Sequence, residues 1–490
     1  MENKLVEDRL KKLNDLKSFG IDPYPQVFNK THNAKDILEK FNDLKNEEKT
    51  EFQVFIAGRI MTFRDMGKAS FVHIQDQSGK IQSYVREDEI DKQKYSIFKK
   101  FDLGDIIGIK GTVFRTKSGE VSIWAKDVTL LTKSLMPLPE KFHGLKDTEI
   151  RYRQRYIDLI VNPDVREVFF KRAKIIKIIR EYLDNEKFLE VETPLLQKTY
   201  GGASAKPFIT HLNALNMEVF LSISPELYLK RLIVGGLERV YTICKNFRNE
   251  DIDSNHNPEF TMLEFYHAYA TYVRLMEMTE ELIPKIVKEI NGSYEITQNN
   301  TKINFKPPFK RIKFKDLILE ETGIDIDGTR NLESLKKEIM NKKIPNVNVK
   351  DAMNYGALMD ELYKRVCRPK IIQPTFLTHY PVEMIALAKR NKEDPTKINS
   401  FQFLVNGAEI VKAYDELNDA LDQKERMEEQ QKLLNKGDKE AMPSDEDFIT
   451  ALEIGMPPTA GYGMGIDRLV MLMTSKDSIK DVILFPFMKD

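Results

Sequence analysis

Apolar residues at helical spacing begin the chain, and alternating apolar and polar residues follow them. Residues 2–19 carry an apolar side chain at every third or fourth position until Gly20 and Pro23, which predicts one amphipathic helix. The polar face of this helix holds Arg9 and Lys12 among other basic residues, which favours the solvated face of a docked helix over a surface for RNA.

Residues 51–132 predict strand after strand, because segments rich in Val, Ile and Phe alternate with glycine-containing turns. The predicted strands are residues 52–63, 69–75, 80–86, 106–115 and 121–131. Five strands in so short a stretch predict a small closed barrel such as an OB-fold, which often binds single-stranded nucleic acid. Phe71, Arg64 and Gln82 offer a ring, a guanidinium fork and an amide for reading bases, although a barrel core could equally use Phe71.

The rest of the chain mixes helices with strands, so the predicted fold class is α+β. Residues 166–185 form an amphipathic helical pattern, and a short strand follows it until Pro194. Residues 292–315 are rich in Lys and Asn and predict an insertion or a surface loop. Residues 422–442 are highly charged and predict a solvated helix.

Residues 246–269 have two apolar ends and a polar middle, which predicts a strand, a loop and a second strand. Arg248 and Glu250 alternate on the first predicted strand, while Phe260, Glu264 and Tyr266 lie on the second. Arginine suits phosphate through its planar fork of donors, and an aromatic face suits a purine. An ordinary half-buried hairpin would explain any one of these residues alone, but it explains the combination less well.

Residues 401–418 predict another hairpin, since an Asn-Gly turn at 406–407 separates two alternating apolar runs. A two-residue turn places Gln402 and Glu409 on one face, where their oxygen atoms could share a magnesium ion. Lys412, Tyr414 and Glu416 would then lie on the opposite face of a regular strand. For all five residues to line one cavity, a β-bulge is required between Glu409 and Lys412.

Two further segments contain glycine beside charged residues. A Gly pair at 201–202 permits close approach of backbone to a ligand, and Glu226 lies just after a proline at a predicted helix start. Near the end of the chain, Gly463 and Gly465 precede a helix predicted to begin near Asp467. Arg468 lies at its start, where anions are favoured.

Composition limits the functional classes without choosing among them. The chain has 490 residues, 31% charged and 41% hydrophobic, with a formal net charge of zero. These numbers are typical of a soluble protein of about three domains. Two distant cysteines, the absence of an apolar signal segment and the lack of a membrane-length apolar run predict a cytoplasmic location. No phosphate loop of the GxxxxGK[ST] type and no GxGxxG after a strand is present.

Three motifs, taken in chain order, resemble those of class II aminoacyl-tRNA synthetases. Their residues are similar to those of the lysyl-tRNA synthetases. The helix, strand and proline at 166–194 resemble motif 1, which builds a homodimer interface in that family. F-R-N-E followed by H-N-P-E-F resembles motif 2, and G-M-G-I-D-R-L resembles motif 3. The resemblance implies a helical extension at 1–50, an OB-fold anticodon-binding domain at 51–135 and a linker at 136–165. It also implies a catalytic domain at 166–490 with an antiparallel sheet, helices and an insertion at about 285–370.

The resemblance implies that lysine is activated with ATP to lysyl-adenylate and transferred to the 3′ end of tRNA(Lys). Arg248 would hold the α-phosphate and Arg468 the γ-phosphate, and these two arginines are the predicted catalytic residues. The remaining ATP site implied by the resemblance consists of Glu250 and Phe260 at adenine, His256 at the phosphates, Gly465, and Glu409 with Mg²⁺, with Gln402 at the position of a second metal ligand.

For lysine, the resemblance implies that Glu416 and Tyr266 bind the ε-ammonium group and that Glu226 and Glu264 bind the α-amino end. Gly202 and Tyr414 complete the predicted lysine site. In the barrel, Phe71 would stack on an anticodon base, while Arg64, Gln82 and Glu120 would contact bases.

The chain departs from the family where it carries Gln402 instead of a glutamate and Lys412 instead of an asparagine. It also differs at His379 and at residues 385–386. These changes leave two alternatives open. One is a class II synthetase for aspartate or asparagine, and the other is a catalytically weakened paralogue that binds RNA or has a regulatory role.

Overall fold

The structure, a computed structural model, describes residues 2–139, 145, 147–350, 352, 354–438 and 440–489. The chain packs into two compact units, Met1–Lys146 and Asp147–Asp490. The predicted linker at 136–165 lies outside the described residues at 140–144 and 146. No helix in the described ranges is long and apolar enough to cross a membrane.

The first unit is a closed five-stranded barrel with two helices before it and two short helices between its third and fourth strands. Its strands follow the order β1-β2-β3-β5-β4, with β3 parallel to β5 and the other pairs antiparallel. This topology confirms the predicted OB-fold. The elements are α1 (Glu2–Ser18), α2 (Ala34–Lys40), β1 (Lys49–Asp65), β2 (Ala69–Gln75), β3 (Lys80–Arg86), α3 (Glu87–Ile90), α4 (Lys92–Phe98), β4 (Ile106–Arg115) and β5 (Val121–Thr132).

The basic residues of α1 hold the helix against its own unit. The guanidinium group of Arg9 is buried and donates to the backbone oxygen of Leu103 at 2.9 Å and of Met136 at 3.1 Å. Lys12 pairs with Asp102 at 2.7 Å. These contacts support the prediction of a docked helix, because two of its basic side chains are used within the protein.

The second unit surrounds one eight-stranded sheet in the order β14-β15-β16-β17-β18-β11-β10-β6. The pairs at the two edges are parallel, and all the pairs between them are antiparallel. The strands are β6 (Leu189–Glu190), β7 (Leu196–Gln197), β8 (Ile209–Leu212), β9 (Met217–Leu221), β10 (Arg239–Phe247), β11 (Glu259–Ala268), β12 (Glu295–Gln298), β13 (Thr301–Asn304), β14 (Lys310–Lys313), β15 (Thr375–Thr378), β16 (Ser400–Val405), β17 (Ala408–Asp415) and β18 (Thr459–Gly465).

Helices cover both faces of this sheet and build a separate apolar core on each. One core contains residues of α7, α9 and α15, and the other contains residues of α8, α10, α11, α12 and α14. This arrangement confirms the predicted α+β fold class. The helices are α5 (Thr148–Arg153), α6 (Arg155–Val161), α7 (Pro163–Asn185), α8 (Glu226–Val234), α9 (Tyr272–Asn291), α10 (Phe314–Thr322), α11 (Leu332–Asn341), α12 (Tyr355–Leu362), α13 (Ala420–Asn435), α14 (Glu446–Gly455) and α15 (Ile466–Met473).

Three local predictions differ from the structure in part. Residues 148–161, predicted as linker, form α5 and α6, where Arg155 and Asp158 make a fully buried ion pair at 2.6 Å. The strand predicted before Pro194 is only two residues long, Leu189–Glu190. Helix α13 is more than a solvated helix, because the buried guanidinium of Arg426 donates to the backbone oxygen of Ala388 at 2.8 Å.

The alternation of side chains along β11 determines which face of the sheet carries the polar groups. Leu263 and Phe265 point into one apolar core, whereas Glu264 and Tyr266 point to the opposite face. Buried carboxyl and phenol groups on that face need polar partners, and a cavity lies beside them.

Candidate active site

A cavity of about 820 Å³ in the second unit brings together all the residues predicted for the ATP and lysine sites. Its walls come from β11, β17, β18, the start of α8 and the loop between β10 and β11. The predicted residues that line it are Gly202, Glu226, Arg248, Glu250, His256, Phe260, Glu264, Tyr266, Gln402, Glu409, Tyr414, Glu416, Gly465 and Arg468. Their individual roles stay predictions.

A β-bulge in β17 determines which side chains line one wall of the cavity. The hairpin pairs Leu404 with Glu409, which is the register of a two-residue turn at 406–407, but it then pairs Phe403 with Val411. One extra residue, Ile410, therefore lies between the two registers, and the alternation of side chains is reset. The predicted bulge between Glu409 and Lys412 is confirmed. It allows Glu409, Lys412, Tyr414 and Glu416 to line the same cavity.

Glycines on β18 leave room opposite that wall. Gly461, Gly463 and Gly465 alternate with the buried side chains of Tyr462 and Met464, so the glycine positions face the cavity. A Cβ atom on Gly461 would clash with Glu416 Oε1, so the carboxylate would have to move. These glycines lie on the strand itself, directly before α15.

Gly202 is required for a similar reason at the opposite side of the carboxylate cluster. Its φ angle is +84°, and a Cβ atom there would lie 2.8 Å from the Cβ of Glu226 and 2.9 Å from Ser224 Oγ. Both the left-handed backbone and the close approach exclude a larger residue.

One end of the cavity is a cluster of buried carboxyl and phenol groups. Tyr414 donates to both carboxylate oxygens of Glu226 at 2.9 Å. Ser224 donates to Glu264 at 2.9 Å, and Tyr266 donates to the other oxygen of Glu264 at 3.3 Å.

A lysine that the sequence analysis missed lies within this cluster. Lys230 is completely buried, donates to Glu226 at 2.6 Å and forms an ion pair with Glu416. Its position four residues after Glu226 on α8 is the signal that could have found it, because such positions share a helix face. Glu416 Oε1 is buried and accepts no hydrogen bond from any residue that the structure describes.

Burial and mutual repulsion disturb the titration of this cluster. Burial, with the neighbouring carboxylate of Glu226, raises the pKa of Glu264 to about 8. Burial also raises the pKa of Glu416 well above its ordinary value, although Lys230 opposes the shift. Burial works against the charge of Lys230, yet Glu226 and Glu416 raise its pKa above the ordinary value. The cluster therefore holds three carboxyl groups for one lysine, and burial favours the protonated forms of Glu264 and Glu416.

The other end of the cavity carries basic and aromatic groups. The guanidinium of Arg248 lies 5.1 Å from the centre of the Phe260 ring, and its buried Nε finds no hydrogen-bond partner among the described residues. Arg468 Nη2 lies 3.2 Å from His256 Nε2, while Asp253 holds the other ring nitrogen at 2.9 Å. Donors without partners in this region suit an anionic ligand.

The prediction that Arg248 and Glu250 alternate on a strand was wrong, because β10 ends at Phe247. Both residues belong to the loop before β11. The backbone N–H of Arg248 still donates to Pro258 at 2.9 Å, which keeps the start of the loop close to the second strand.

Gln402 lies within the cavity, but its oxygen is already used. Tyr363 and Tyr380 both donate to Gln402 Oε1 at 2.7 Å. Burial raises the pKa of both tyrosines, so both hydroxyls keep their protons. An amide oxygen with two donors has no lone pair left for a metal ion.

Glu409 differs, since its carboxylate makes no hydrogen bond or ion pair within the described part of the chain. Magnesium in nucleotide sites is often held by one or two carboxylates together with phosphate oxygens. Glu409 fits such a role, whereas Gln402 does not. The described residues contain no group of three or more His, Cys, Asp or Glu side chains that could hold a metal ion by themselves.

The remaining departures from the family lie at the edge of the cavity or behind it. Burial lowers the pKa of His379, and its ring nitrogen Nδ1 lies 2.9 Å from the hydroxyl of Thr378. Ile385 is buried in the apolar core, and Ala386 lines the cavity.

The outer face of the barrel carries the predicted anticodon residues. Phe71 stacks on Tyr84 with ring centres 4.5 Å apart, and Arg64 is paired with Phe71 in the register of β1 and β2. Glu120 is exposed and bonds to His73 at 2.9 Å. Gln82, by contrast, is buried and donates to Ser122 at 2.8 Å.

Sequence reasoning missed two further aromatic residues on this face. Trp124 lies edge-on to Tyr84 at 5.2 Å, and Lys49 lies 3.9 Å above the Trp124 ring. Tyr84 lies two residues after Gln82 on β3, so the alternation of that strand could have revealed it.

Comparisons with known proteins agree with both units. A family described as tRNA synthetases class II (D, K and N) matches residues 147–489, and an OB-fold nucleic acid binding domain matches residues 54–131. The lysine–tRNA ligase of Carboxydothermus hydrogenoformans is 52% identical over 99% of this chain and 98% of its own length. The lysine–tRNA ligases of Pelotomaculum thermopropionicum and Bacillus subtilis are 50% and 48% identical, each over 99% of this chain and over 95% and 97% of their own lengths.

Proposed function

Because the chain belongs to the class II tRNA synthetases of the D, K and N group, we propose that it is a lysine–tRNA ligase. It activates lysine with ATP and then transfers the lysyl group to tRNA. The relatives that match the chain over nearly its whole length carry the same function in their names.

The charge balance of the carboxylate cluster is the observation that favours lysine as the amino-acid substrate. Glu226, Glu264 and Glu416 are buried together, and Lys230 is the cation that lies among them. Three carboxyl groups with one ammonium leave two carboxyl groups without a counter-charge, and burial favours the protonated forms of Glu264 and Glu416 until a further cation binds. Lysine brings two ammonium groups, one at each end. Aspartate and asparagine bring only one ammonium group, so they would leave a buried carboxylate uncompensated.

We assign the ε-ammonium of lysine to Glu416 and Tyr266, and the α-ammonium to Glu226 and Glu264. Glu416 Oε1 supports this assignment because it is buried without a hydrogen bond from a described residue. A site built on buried polar groups discriminates strongly against analogues that leave those groups unpaired.

Adenylate formation then requires positioning more than proton transfer. The carboxylate of lysine is already ionised at neutral pH, so it attacks the α-phosphorus of ATP without a general base. The bond between the α-phosphorus and the pyrophosphate oxygen breaks, and pyrophosphate leaves. Arg248 would neutralise the α-phosphate, while Arg468 and His256 would hold the departing phosphates. Phe260 would stack on adenine, with Glu250 near its amino group.

In the second step, a hydroxyl group of the terminal adenosine of tRNA attacks the acyl carbon of the adenylate. The ester forms and AMP leaves. Magnesium, when bound by Glu409 and phosphate oxygens, would reduce the negative charge of the triphosphate. Gly465 leaves space for the nucleotide beside Arg468.

The barrel would bind the anticodon of tRNA(Lys), with Phe71 as a stacking surface and Arg64 and Glu120 beside it. A homodimer is proposed from the resemblance of 166–194 to motif 1. Large apolar side chains exposed in and after this segment support it, namely Phe170, Leu189, Leu196 and Ile209. A cytoplasmic location stays a prediction, to which the two free cysteines are suited.

ATP–pyrophosphate exchange with each amino acid in turn tests the assignment. Exchange with lysine alone is expected, and Glu416→Gln should lower kcat/KM for lysine about 10²-fold or more while the protein stays folded. Exchange with aspartate or asparagine would favour a different member of the group. A folded protein that binds tRNA but shows no exchange with any amino acid would favour the weakened paralogue.

A further inference from the structure

The bulged hairpin places a lysine beside the glutamine whose oxygen is already used. Lys412 and Gln402 are directly paired across β16 and β17, and both line the cavity. The ammonium group of Lys412 makes no ion pair with any residue in the described ranges. A lysine in this setting is an unused positive charge inside a cavity.

The position of Lys412 along β17 assigns it to the nucleotide half of the cavity, the half that contains Arg248, His256 and Arg468. Glu416 lies four residues further along, about 13 Å away for an extended chain. In the other direction, the bulge brings Glu409 onto the same wall, and Arg468 approaches the backbone oxygen of Glu409 at 3.5 Å. Lys412 therefore stands between the carboxylate cluster and the arginine and histidine that face the phosphates.

The lining of the cavity as a whole is acidic. Among the described residues that line it, twelve are aspartate or glutamate and only five are lysine or arginine. A bound nucleotide would add further negative charge. A divalent ion could supply the missing charge at position 402 if a carboxylate stood there, but the oxygen of Gln402 accepts from Tyr363 and Tyr380 and does not fit a metal ion.

We propose that Lys412 is a built-in cation that replaces a divalent ion at position 402, so that the bound nucleotide recruits metal only at Glu409. The ammonium group would contact an α-phosphate oxygen or the carboxylate of lysine as the two react. A fixed lysine charge is present at any magnesium concentration, whereas a metal ion must be bound from solution. This proposal rests on the proposed function for the identity of the nucleotide.

Counting bound metal tests the proposal without an activity assay. Electron paramagnetic resonance of Mn²⁺ can measure the ions bound per active site with a non-hydrolysable ATP analogue and no lysine. The wild-type protein should bind one Mn²⁺ per site, and Gln402→Glu with Lys412→Asn should bind at least one more. Two or more ions in the wild type, or an unchanged number in the double variant, would overturn the proposal.

Magnesium dependence of the exchange reaction supplies a second measurement. With Mg²⁺ equal to ATP, Lys412→Met should lower the exchange rate by about 10²-fold, the usual cost of removing one group that stabilises developing charge. Lys245→Met is the matched control, because Lys245 lies on the same sheet in an exposed ion pair with Glu259 at 3.0 Å. Equal behaviour of the two variants would overturn the proposal.

These experiments distinguish a failure of the ligase assignment from a failure of the role proposed for Lys412. A wild-type protein without lysine-dependent exchange refutes the ligase assignment, whatever its Mn²⁺ count. Normal exchange with two bound Mn²⁺ ions keeps the ligase and rejects the role of Lys412.

Discussion

Lys230 and Glu416 form an ion pair beneath the cavity in which both side chains are completely shielded from solvent. The same ammonium group bonds to Glu226 at 2.6 Å, so one lysine holds carboxylates from α8 and from the residue just after β17. Folding has therefore already removed water from Glu416 before substrate arrives. A lysine ammonium that enters the site meets a carboxylate that is fixed and desolvated, which favours binding.

Replacing Lys230 with methionine should destabilise the protein. Two buried carboxylates would lose their counter-charge, and breaking a buried pair from one side typically costs about 3–5 kcal/mol. Urea unfolding measures the loss. Lys245→Met removes an exposed ion pair with Glu259 and should cost less than about 1 kcal/mol. A similar small loss for Lys230→Met would show that the carboxylates are protonated and need no cation.

Lysine binding should depend on pH through Glu264. Burial, together with Glu226, raises the pKa of this carboxyl group to about 8, so it is protonated below pH 8 in the free protein. Binding the α-ammonium of lysine favours the ionised form, which means that a proton must leave. The dissociation constant should therefore rise at least tenfold for each unit by which the pH falls from 8 to 6.

Calorimetry at pH 7 in two buffers of different ionisation enthalpy would count that proton directly. Release of at least one proton per bound lysine is expected, because burial raises the pKa of both Glu264 and Glu416, and Glu264→Gln should lower the release by about one proton. A buffer-independent binding enthalpy for the wild type would mean that Glu264 is ionised before lysine binds.

Gly461 should be intolerant of even one methyl group. A Cβ atom there would clash with Glu416 Oε1 and lie 2.7 Å from the ring of Tyr266, so Gly461→Ala must displace the lysine-binding carboxylate. We expect KM for lysine to rise about 10²-fold or more, because the ammonium loses a positioned partner. Steady-state exchange kinetics measures this value.

Gly463→Ala is the comparison on the same strand. The added methyl group would make only ordinary contacts with the protein, 3.5 Å from Met262 and 3.8 Å from the backbone of Lys412. Its effect on KM for lysine should be much smaller than that of Gly461→Ala. Equal effects would place the lysine site elsewhere along β18.

The sequence predicts local features of this fold better than contacts between distant segments. Periodicity and turn residues predicted the five barrel strands, and the Asn-Gly turn predicted the register of β16 with β17 next to the bulge. The bulge itself followed from one requirement, that all five polar residues of the hairpin line one cavity. Each of these features depends on residues close together in the chain.

The partners of Gln402 and Glu416 could not be predicted in this way. Tyr363 and Tyr380 reach Gln402 from 39 and 22 residues away, and Lys230 reaches Glu416 from a helix far earlier in the chain. Arg248 and Glu250 were misplaced on a strand because alternation continues past Phe247, where the ladder ends. Packing decides such pairs, and a single sequence does not display it.

Phe71 of the barrel should contribute to tRNA binding without affecting lysine activation. Its ring is half-buried on the outer face and stacks on Tyr84, which leaves an aromatic surface for a base. Stacking of one base on an aromatic side chain is worth about 1–3 kcal/mol, so Phe71→Ala should weaken tRNA(Lys) binding by about 10- to 100-fold. Filter binding measures this change, and ATP–pyrophosphate exchange with lysine should stay at the wild-type rate.

Phe55→Ala provides the matched control, since Phe55 is also a half-buried aromatic residue on the barrel exterior, where Lys110 lies 5.5 Å from its ring. Removing it costs similar apolar contact but leaves the pair of Phe71 and Tyr84 intact, so tRNA affinity should change little. If both variants bind tRNA(Lys) as tightly as the wild type, the anticodon does not stack on Phe71. If both weaken binding equally, the loss comes from the stability of the barrel and not from a lost base contact.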